Sequence, residues 1–160
     1  MIFGFDTLTF IHVVISLVAI ATGLVVVFAL IGNQRLPLWT HVFLWTTVAT
    51  SVTGFMFPFH QLLPSHVVGI ISLIFLAPAV YAWYVGHATG HWRWIYVTTA
   101  TVALYLNSFV LVAQLFMKVP ALRSLAPTQS EPPFIVAQSI VLIAFLVLGG
   151  LSMARFRAPA

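Results

Sequence analysis

The chain has 160 residues, of which 62% are hydrophobic and only 5% are charged, and its mean hydropathy is +1.13. A water-soluble domain carries about 25% charged residues, so this composition excludes one and indicates an integral membrane protein. The six Lys and Arg are scattered along the chain, which argues against nucleic acid as a partner despite a pI near 10.2. Because there is no cysteine, any metal ligation must use histidine.

Five apolar segments of membrane-spanning length are separated by Pro, Gly and charged residues. A helix rises about 1.5 Å per residue, so about 20 apolar residues cross the hydrocarbon core of a bilayer. Because a chain in lipid must satisfy its own backbone hydrogen bonds, each segment is predicted to be helical. The sequence therefore predicts an all-α protein with one domain, residues 1–160, built as an integral membrane bundle of five transmembrane helices. Their predicted bounds are about 8–31, 38–57, 66–86, 94–117 and 134–153.

The first predicted helix has one stripe of small residues that begins with a histidine. His12, Ser16, Ala19 and Gly23 share a face at 100° per residue. Small residues let helices approach closely in lipid, so this stripe is predicted to be a packing face. His12 is therefore expected to point into the bundle.

The second predicted helix is rich in hydroxyl groups on one side. These hydroxyls are predicted to bond back to carbonyls of their own helix or across to neighbouring helices. His41 lies nearly opposite that side and close to Trp39 and Trp45, which predicts an interfacial histidine. The residues of the hydroxyl-rich side are Thr46, Thr47, Thr50, Ser51, Thr53 and Gly54.

Four of the six histidines bracket the uncharged stretch 67–86 of the third predicted helix, with His60 and His66 before it and His87 and His91 after it. The spacing of His87 and His91 suits two metal ligands on a helix, but the Thr89-Gly90 pair between them is typical of a turn. This favours a solvated loop over a metal site there.

The fourth predicted helix carries Asn107 near the middle of the membrane. An unpaired amide at that depth would cost several kcal/mol, so Asn107 is expected to find a partner or a bound group. The longest connection, 118–133, follows this helix and holds four prolines, and the sequence leaves its role open.

The distribution of positive charge predicts the orientation. Arg35, Arg93 and the two C-terminal arginines, Arg155 and Arg157, fall on one side, whereas the connection 118–133 carries two positive charges on the other. Positive residues accumulate on the cytoplasmic side of membrane proteins. The prediction is a multi-pass protein with its N-terminus outside and its C-terminus in the cytoplasm.

Two blocks of sequence carry a resemblance. The blocks TVATSVTGFMFPFHQLLPSHVVGIISL and ALYLNSFVLVAQLFMKVPALRSLAPTQSEPPF resemble a group of small bacterial polytopic membrane proteins with five helices. The resemblance extends over most of the chain and implies a location in the bacterial inner (plasma) membrane. It implies no activity and no catalytic residue.

The inventory of reactive side chains argues against an enzyme. The two carboxylates, Asp6 and Glu131, are both expected near the outer surface, where they cannot form a buried acid and base pair. Neither a Gly-rich phosphate loop nor a HExxH metal motif is present. No catalytic residue is predicted.

The histidines instead favour haem b as a cofactor. Haem iron in a membrane bundle takes two imidazoles from different helices at one depth. The outer pair would be His12 and His66, as the metal ligands, with His60 as a substitute; the inner pair, less favoured, would be His41 and His87. For each histidine singly, the alternative is an interfacial residue bonded to loops or lipid headgroups.

Several functions fit these features. Short connections and several small-residue faces favour an accessory or structural subunit of a membrane bioenergetic or redox complex, whose cofactor would be ligated by histidine. The partners would be the lipid bilayer and other membrane subunits or further copies of the chain. The alternatives are a b-type haem electron-transfer protein and, least favoured because no inverted repeat or intramembrane charge is visible, a small transporter.

Overall fold

The fold was obtained as a computed structural model that describes residues 7–57 and 64–157, and helices are the only regular secondary structure of those residues. The all-α prediction is confirmed. The helices are α1 (Thr7–Ile31), α2 (Pro37–Gly54), α3 (Pro64–Tyr84), α4 (Gly90–Lys118), α5 (Pro120–Leu125) and α6 (Pro132–Arg155).

Four of these helices, α1, α3, α4 and α6, are long and apolar enough to cross a membrane. By this criterion the described residues contain four candidate spans, against the five that were predicted. The reason lies in α2, which is long enough at 18 residues but contains too many Thr, Ser, Trp and His to be as apolar as the other four. The short helix α5 was not predicted at all, because six residues inside a Pro-rich connection give no periodic apolar pattern.

The predicted bounds differ from the observed ones by up to four residues. Helix α4 begins at Gly90 rather than near 94, because Thr89 already has the extended backbone of an N-cap residue. Helix α2 ends at Gly54 rather than near 57. There the N–H groups of Phe55 and Met56 bond to carbonyls three residues back, which tightens the last turn and closes the helix.

The first four long helices form a ring. Helix α1 packs on α2, α2 on α3, α3 on α4, and α4 back on α1, with α2 and α4 also touching across the ring. Helices α1 and α3 thus lie across from each other. Helix α6 packs outside the ring against α4 and α1, and α5 packs on α4.

The hydrophobic core lies toward one end of this ring, which we call the closed end: the last turns of α1, α3 and α6 and the first turns of α2 and α4. Most fully buried large side chains belong to it, including Val27, Phe43, Leu44, Tyr96, Val97 and Phe156.

Polar bonds from three chain segments tie the closed end together. The Arg35 guanidinium donates to the His87 carbonyl at 2.6 Å and stacks on the Trp83 ring, 4.9 Å from its centroid. Arg93 donates to the carbonyl of Phe156 at the end of α6. The side-chain oxygen of Asn33 accepts from the Arg157 N–H at 2.7 Å. The connections of the ring and the end of α6 are therefore fastened to one another.

Candidate functional site

A cavity of about 580 Å³ opens inside the ring at its other end, where α1 and α3 begin and α2 and α4 finish. We call it the His cavity. Its lining runs from Thr9 to Ile20 on α1 and from Asn107 to Lys118 on α4. At about 1.5 Å of rise per residue, it extends about 16 Å along the helices. Its buried and half-buried polar lining residues are Thr9, His12, Ser16, Thr50, Ser51, His66, Ser72 and Asn107.

The tautomer of His12 is fixed by its neighbour on α2. The Nδ1 atom of His12 lies 2.8 Å from the hydroxyl oxygen of Thr53. That hydroxyl has a single proton, which it donates to the Ala49 carbonyl at 2.7 Å. In this arrangement Thr53 accepts from His12, which favours the tautomer with the proton on Nδ1 and a lone pair on Nε2 of the neutral ring. A lone pair on Nε2 can ligate a metal or accept a hydrogen bond.

Aromatic rings from the end of α2 hold both cavity histidines. The His12 ring meets the Phe57 ring edge-on, with centroids 5.2 Å apart. His66, which is 3% exposed, stacks on Phe55 at 6.0 Å. Gly69 makes room for Phe55, since a Cβ there would lie 3.2 Å from the end of its ring. The end of α2 thus positions one histidine from α1 and one from α3.

The structure brings three of the predicted site residues, His12, His66 and Asn107, around the same cavity. His12 and His66 come from helices that lie across the ring from each other. A ligand in the cavity between these helices could therefore contact both imidazoles. Their sharing of a ligand stays a prediction. His60, the predicted substitute, and Asp6 lie outside the described residues.

Two polar groups of the His cavity have no partner. In the described part of the chain, nothing bonds to the buried Nδ2 of Asn107 or to the buried hydroxyl oxygen of Thr50. The partner expected for Asn107 is therefore not found among these residues. Thr50 differs from its neighbours on α2, whose hydroxyls donate to carbonyls of their own helix as predicted: Thr46, Thr47, Ser51 and Thr53.

The predicted inner pair lies at the closed end, in two different settings. The Nδ1 atom of His41 is 2.5 Å from the Tyr84 hydroxyl, which also accepts from Trp45 Nε1 at 2.9 Å. His87 is exposed on the turn after α3, with a positive φ of 50°. No contact among the described residues joins the two. In the same part of the chain, no group of three or more His, Asp or Glu is placed to hold a metal ion.

Sequence reasoning did not single out Thr53, Thr50 or Lys118 as site residues. For Lys118 a signal exists, since Asn107, Leu111, Gln114 and Lys118 recur at helical spacing and all line the cavity. For Thr50 and Thr53 the sequence contains no such signal. Six hydroxyl or small residues share one side of α2, and only the side-chain rotamers separate the hydroxyl that orients His12 from the one left unpaired.

Comparisons with known proteins give no relative from which a function could be inferred, so the proposals below rest on the geometry of the His cavity. No protein-family model, curated protein or solved structure matches the chain.

Proposed function

We propose that the chain is a multi-pass membrane protein in which α2 is a fifth span. Helix α2 follows α1 after a connection of five residues and packs along it, so it lies at the same depth as an apolar helix of spanning length. Its 18 residues reach about 27 Å, close to the thickness of a hydrocarbon core. Reporter fusions after Asn33 and after Phe57 test this proposal, which predicts opposite sides of the membrane for the two.

We further propose a bacterial inner membrane location with the closed end in the cytoplasm. Arg35, Arg93, Arg155 and Arg157 all belong to the closed end, whereas Lys118 and Arg123 belong to the cavity end. The positive-inside rule then places the N-terminus outside and the C-terminus in the cytoplasm. A reporter of a type that is active only in the cytoplasm can be fused at Thr128. Activity of that fusion would contradict this orientation.

In that membrane the chain acts, in our proposal, as an accessory subunit of a redox complex, and the His cavity is its cofactor site. The observation that carries this proposal is a cavity of cofactor size, since ligand sites occupy about 300–1,000 Å³, lined by two histidines and by unpaired polar groups. The lipid-facing side of α6 is apolar and mostly exposed, which gives further membrane subunits a surface to pack on.

Native gels of mild-detergent membrane extracts test the subunit role. The tagged chain is expected to migrate in a band that also stains for oxidoreductase activity, and that activity is expected to fall when the chain is deleted. If none of the tagged chain migrates in a band with oxidoreductase activity, the proposal is contradicted.

A second candidate is a b-type haem electron-transfer protein, favoured by the histidine pair. The lone pair on His12 Nε2 is the ligand that haem iron requires, and His66 comes from the opposite helix of the ring. A haem held there would exchange single electrons. Lys118 at the cavity mouth would offer its ammonium group to a propionate.

The reduced-minus-oxidised visible spectrum of the purified protein tests the haem candidate. His12→Ala and His66→Ala should each abolish the Soret band, whereas His91→Ala at the closed end should leave it unchanged. If protein purified from haem-replete cells shows no Soret band, haem is excluded. The subunit proposal is then still tested by the native gels.

A further inference from the structure

We infer that the His cavity binds the ring of an isoprenoid quinone, a lipid-soluble ring that carries two oxygens. This inference rests on the proposed function in one respect, namely that the His cavity is a cofactor site. It names the class of cofactor from the hydrogen-bonding groups that the cavity presents.

The first of these groups is an acceptor. Because the Thr53 hydroxyl is committed to the Ala49 carbonyl, His12 donates through Nδ1 and is left with an acceptor at Nε2. The hydroxyl of a reduced quinone ring is a donor that matches it.

The other groups are an amide and a hydroxyl without partners. Thr50 is 9% exposed, and its hydroxyl neither bonds back to its own helix nor reaches another side chain within residues 7–57 and 64–157. The Asn107 amide has an unpaired Nδ2, and since the two ends of an amide are distinguished only by their partners, a half turn presents either its N–H or its carbonyl to the cavity. A buried polar group without a partner destabilises the folded chain, and a quinone oxygen would supply the missing partner.

The remaining lining suits a ring with an apolar tail. Leu17, Ile20, Val68, Val110 and Leu111 supply apolar surface along the same cavity. Haem offers no oxygen to Thr50 or Asn107 apart from its charged propionates, which are costly to bury. A phospholipid would direct its phosphate to Lys118 and its acyl chain past the two unpaired groups. A reduced quinone ring pairs with both kinds of group, because each of its hydroxyls can donate to His12 Nε2 and accept from Thr50 or Asn107, whereas the oxidised ring pairs with the donors.

The experiment measures the thermal unfolding of the full chain in detergent during titration with decylubiquinone, a short-tailed quinone. A ligand that binds only the folded protein raises its unfolding temperature in a saturable way. Decylbenzene, which has the same tail and no oxygen, serves as the matched ligand. The expected result is a saturable rise with decylubiquinone and none with decylbenzene.

Two variants then locate the binding groups. Thr50→Val and Asn107→Leu should each weaken binding about fivefold, as expected for one hydrogen bond of about 1 kcal/mol. Without quinone, both variants should be as stable as the parent or more so, because each loses an unpaired polar group. Thr101→Val is the matched control, since its buried hydroxyl is also unpaired but the residue lines a separate groove of about 220 Å³ between α4 and α6.

Equal shifts with decylubiquinone and decylbenzene would overturn the inference, as would unchanged quinone binding in both variants. A Soret band lost in His12→Ala would also overturn it, in favour of haem, while leaving the cavity as a cofactor site. The two proposals can fail separately. If oxidoreductase activity co-migrates with the chain but decylubiquinone does not raise the unfolding temperature, this inference fails and the subunit proposal stands.

Discussion

The two ends of the helical ring are built from the same four helices and differ in almost everything else. At the closed end, large apolar side chains such as Phe43, Leu44 and Tyr96 are fully buried, and arginines bond to the carbonyls of the connections. At the cavity end, the buried residues include His66, Ser51 and Ser72, and they surround a space of about 580 Å³.

This difference separates stability from function along the helix axis. Helices in lipid associate chiefly through close packing and hydrogen bonds, and the close packing of large side chains is concentrated at the closed end. A cavity lined by polar groups contributes little to the free energy of folding and loses some of it through unpaired atoms. Changes at the two ends should therefore have different consequences.

The largest effect is expected from Gly23→Ala. A Cβ at this position would lie 2.6 Å from Leu104 and 2.7 Å from Phe43, and both of these side chains are fully buried. Overpacking of this kind costs about 1–3 kcal/mol of unfolding free energy. Gly54→Ala at the cavity end should be tolerated, because its Cβ would meet only His12, at 3.8 Å. Equal losses in the two variants, measured by denaturant unfolding in detergent, would remove the contrast between the ends.

A smaller effect is expected from Thr53→Val, which removes the acceptor of His12 Nδ1. The half-buried imidazole then loses a hydrogen bond worth about 1 kcal/mol. The sharper readout is the tautomer, seen by ¹⁵N NMR of the histidine ring, which should lose its preference for the proton on Nδ1. Thr46→Val, on the same helix but without a histidine contact, should change neither. A parent protein with the proton on Nε2 would refute the assignment.

A comparable but slightly smaller loss is expected from Arg35→Ala at the closed end. The half-buried Arg35 contributes one solvent-exposed hydrogen bond and stacking on Trp83, together about 0.5–1 kcal/mol. Arg123→Ala, on the short helix α5, serves as the control and should not change stability. Lysine at position 35 should restore only part of the loss, since it cannot stack as a planar group.

The smallest effect is expected at Glu131, which precedes α6. Its slight desolvation raises the pKa of the carboxyl, but hydrogen bonds from the Thr128 hydroxyl and N–H and from the Ser130 N–H outweigh this and lower it below its usual value of 4.5. A pKa that is lowered on folding stabilises the loop above the unfolded value, and this stabilisation disappears as the pH falls through the folded one.

Hydrogen exchange of the Thr128 and Ser130 amides tests this linkage. Exchange corrected for its intrinsic pH dependence should quicken below about pH 4.5 in the parent protein, the ordinary carboxyl range. In Glu131→Gln the corrected exchange should be faster than in the parent protein at neutral pH, and it should not change as the pH is lowered. Identical protection in both proteins at neutral pH would show that the carboxylate does not order this loop.

Much of the fold could be predicted, because helix positions follow from runs of apolar residues broken by Pro, Gly and charge. The composition of α2 supports a membrane span less strongly than that of the other long helices, and the sequence does not reveal α5. Both depend on context: α2 on packing against α1 and α3, and α5 on Pro120 at its first turn.

The candidate site was predictable only in outline. Periodicity placed His12 on an inward stripe, and the depth of Asn107 marked it as a residue that needs a partner. Which hydroxyl of α2 orients His12, and which one stays unpaired, depends on individual rotamers and on a neighbouring helix. No pattern along the chain contains that information.

The self-bonded hydroxyls of α2 bear on how such a protein is made. A helix that enters a bilayer before its neighbours must carry its polar groups through hydrocarbon alone, and a hydroxyl already bonded to its own helix is cheaper to transfer. Helix α2 meets that requirement at four positions. In the five-span arrangement that we propose, α1 and α2 can therefore insert as a hairpin during synthesis, and α3 and α4 then complete the ring against a template already in the membrane.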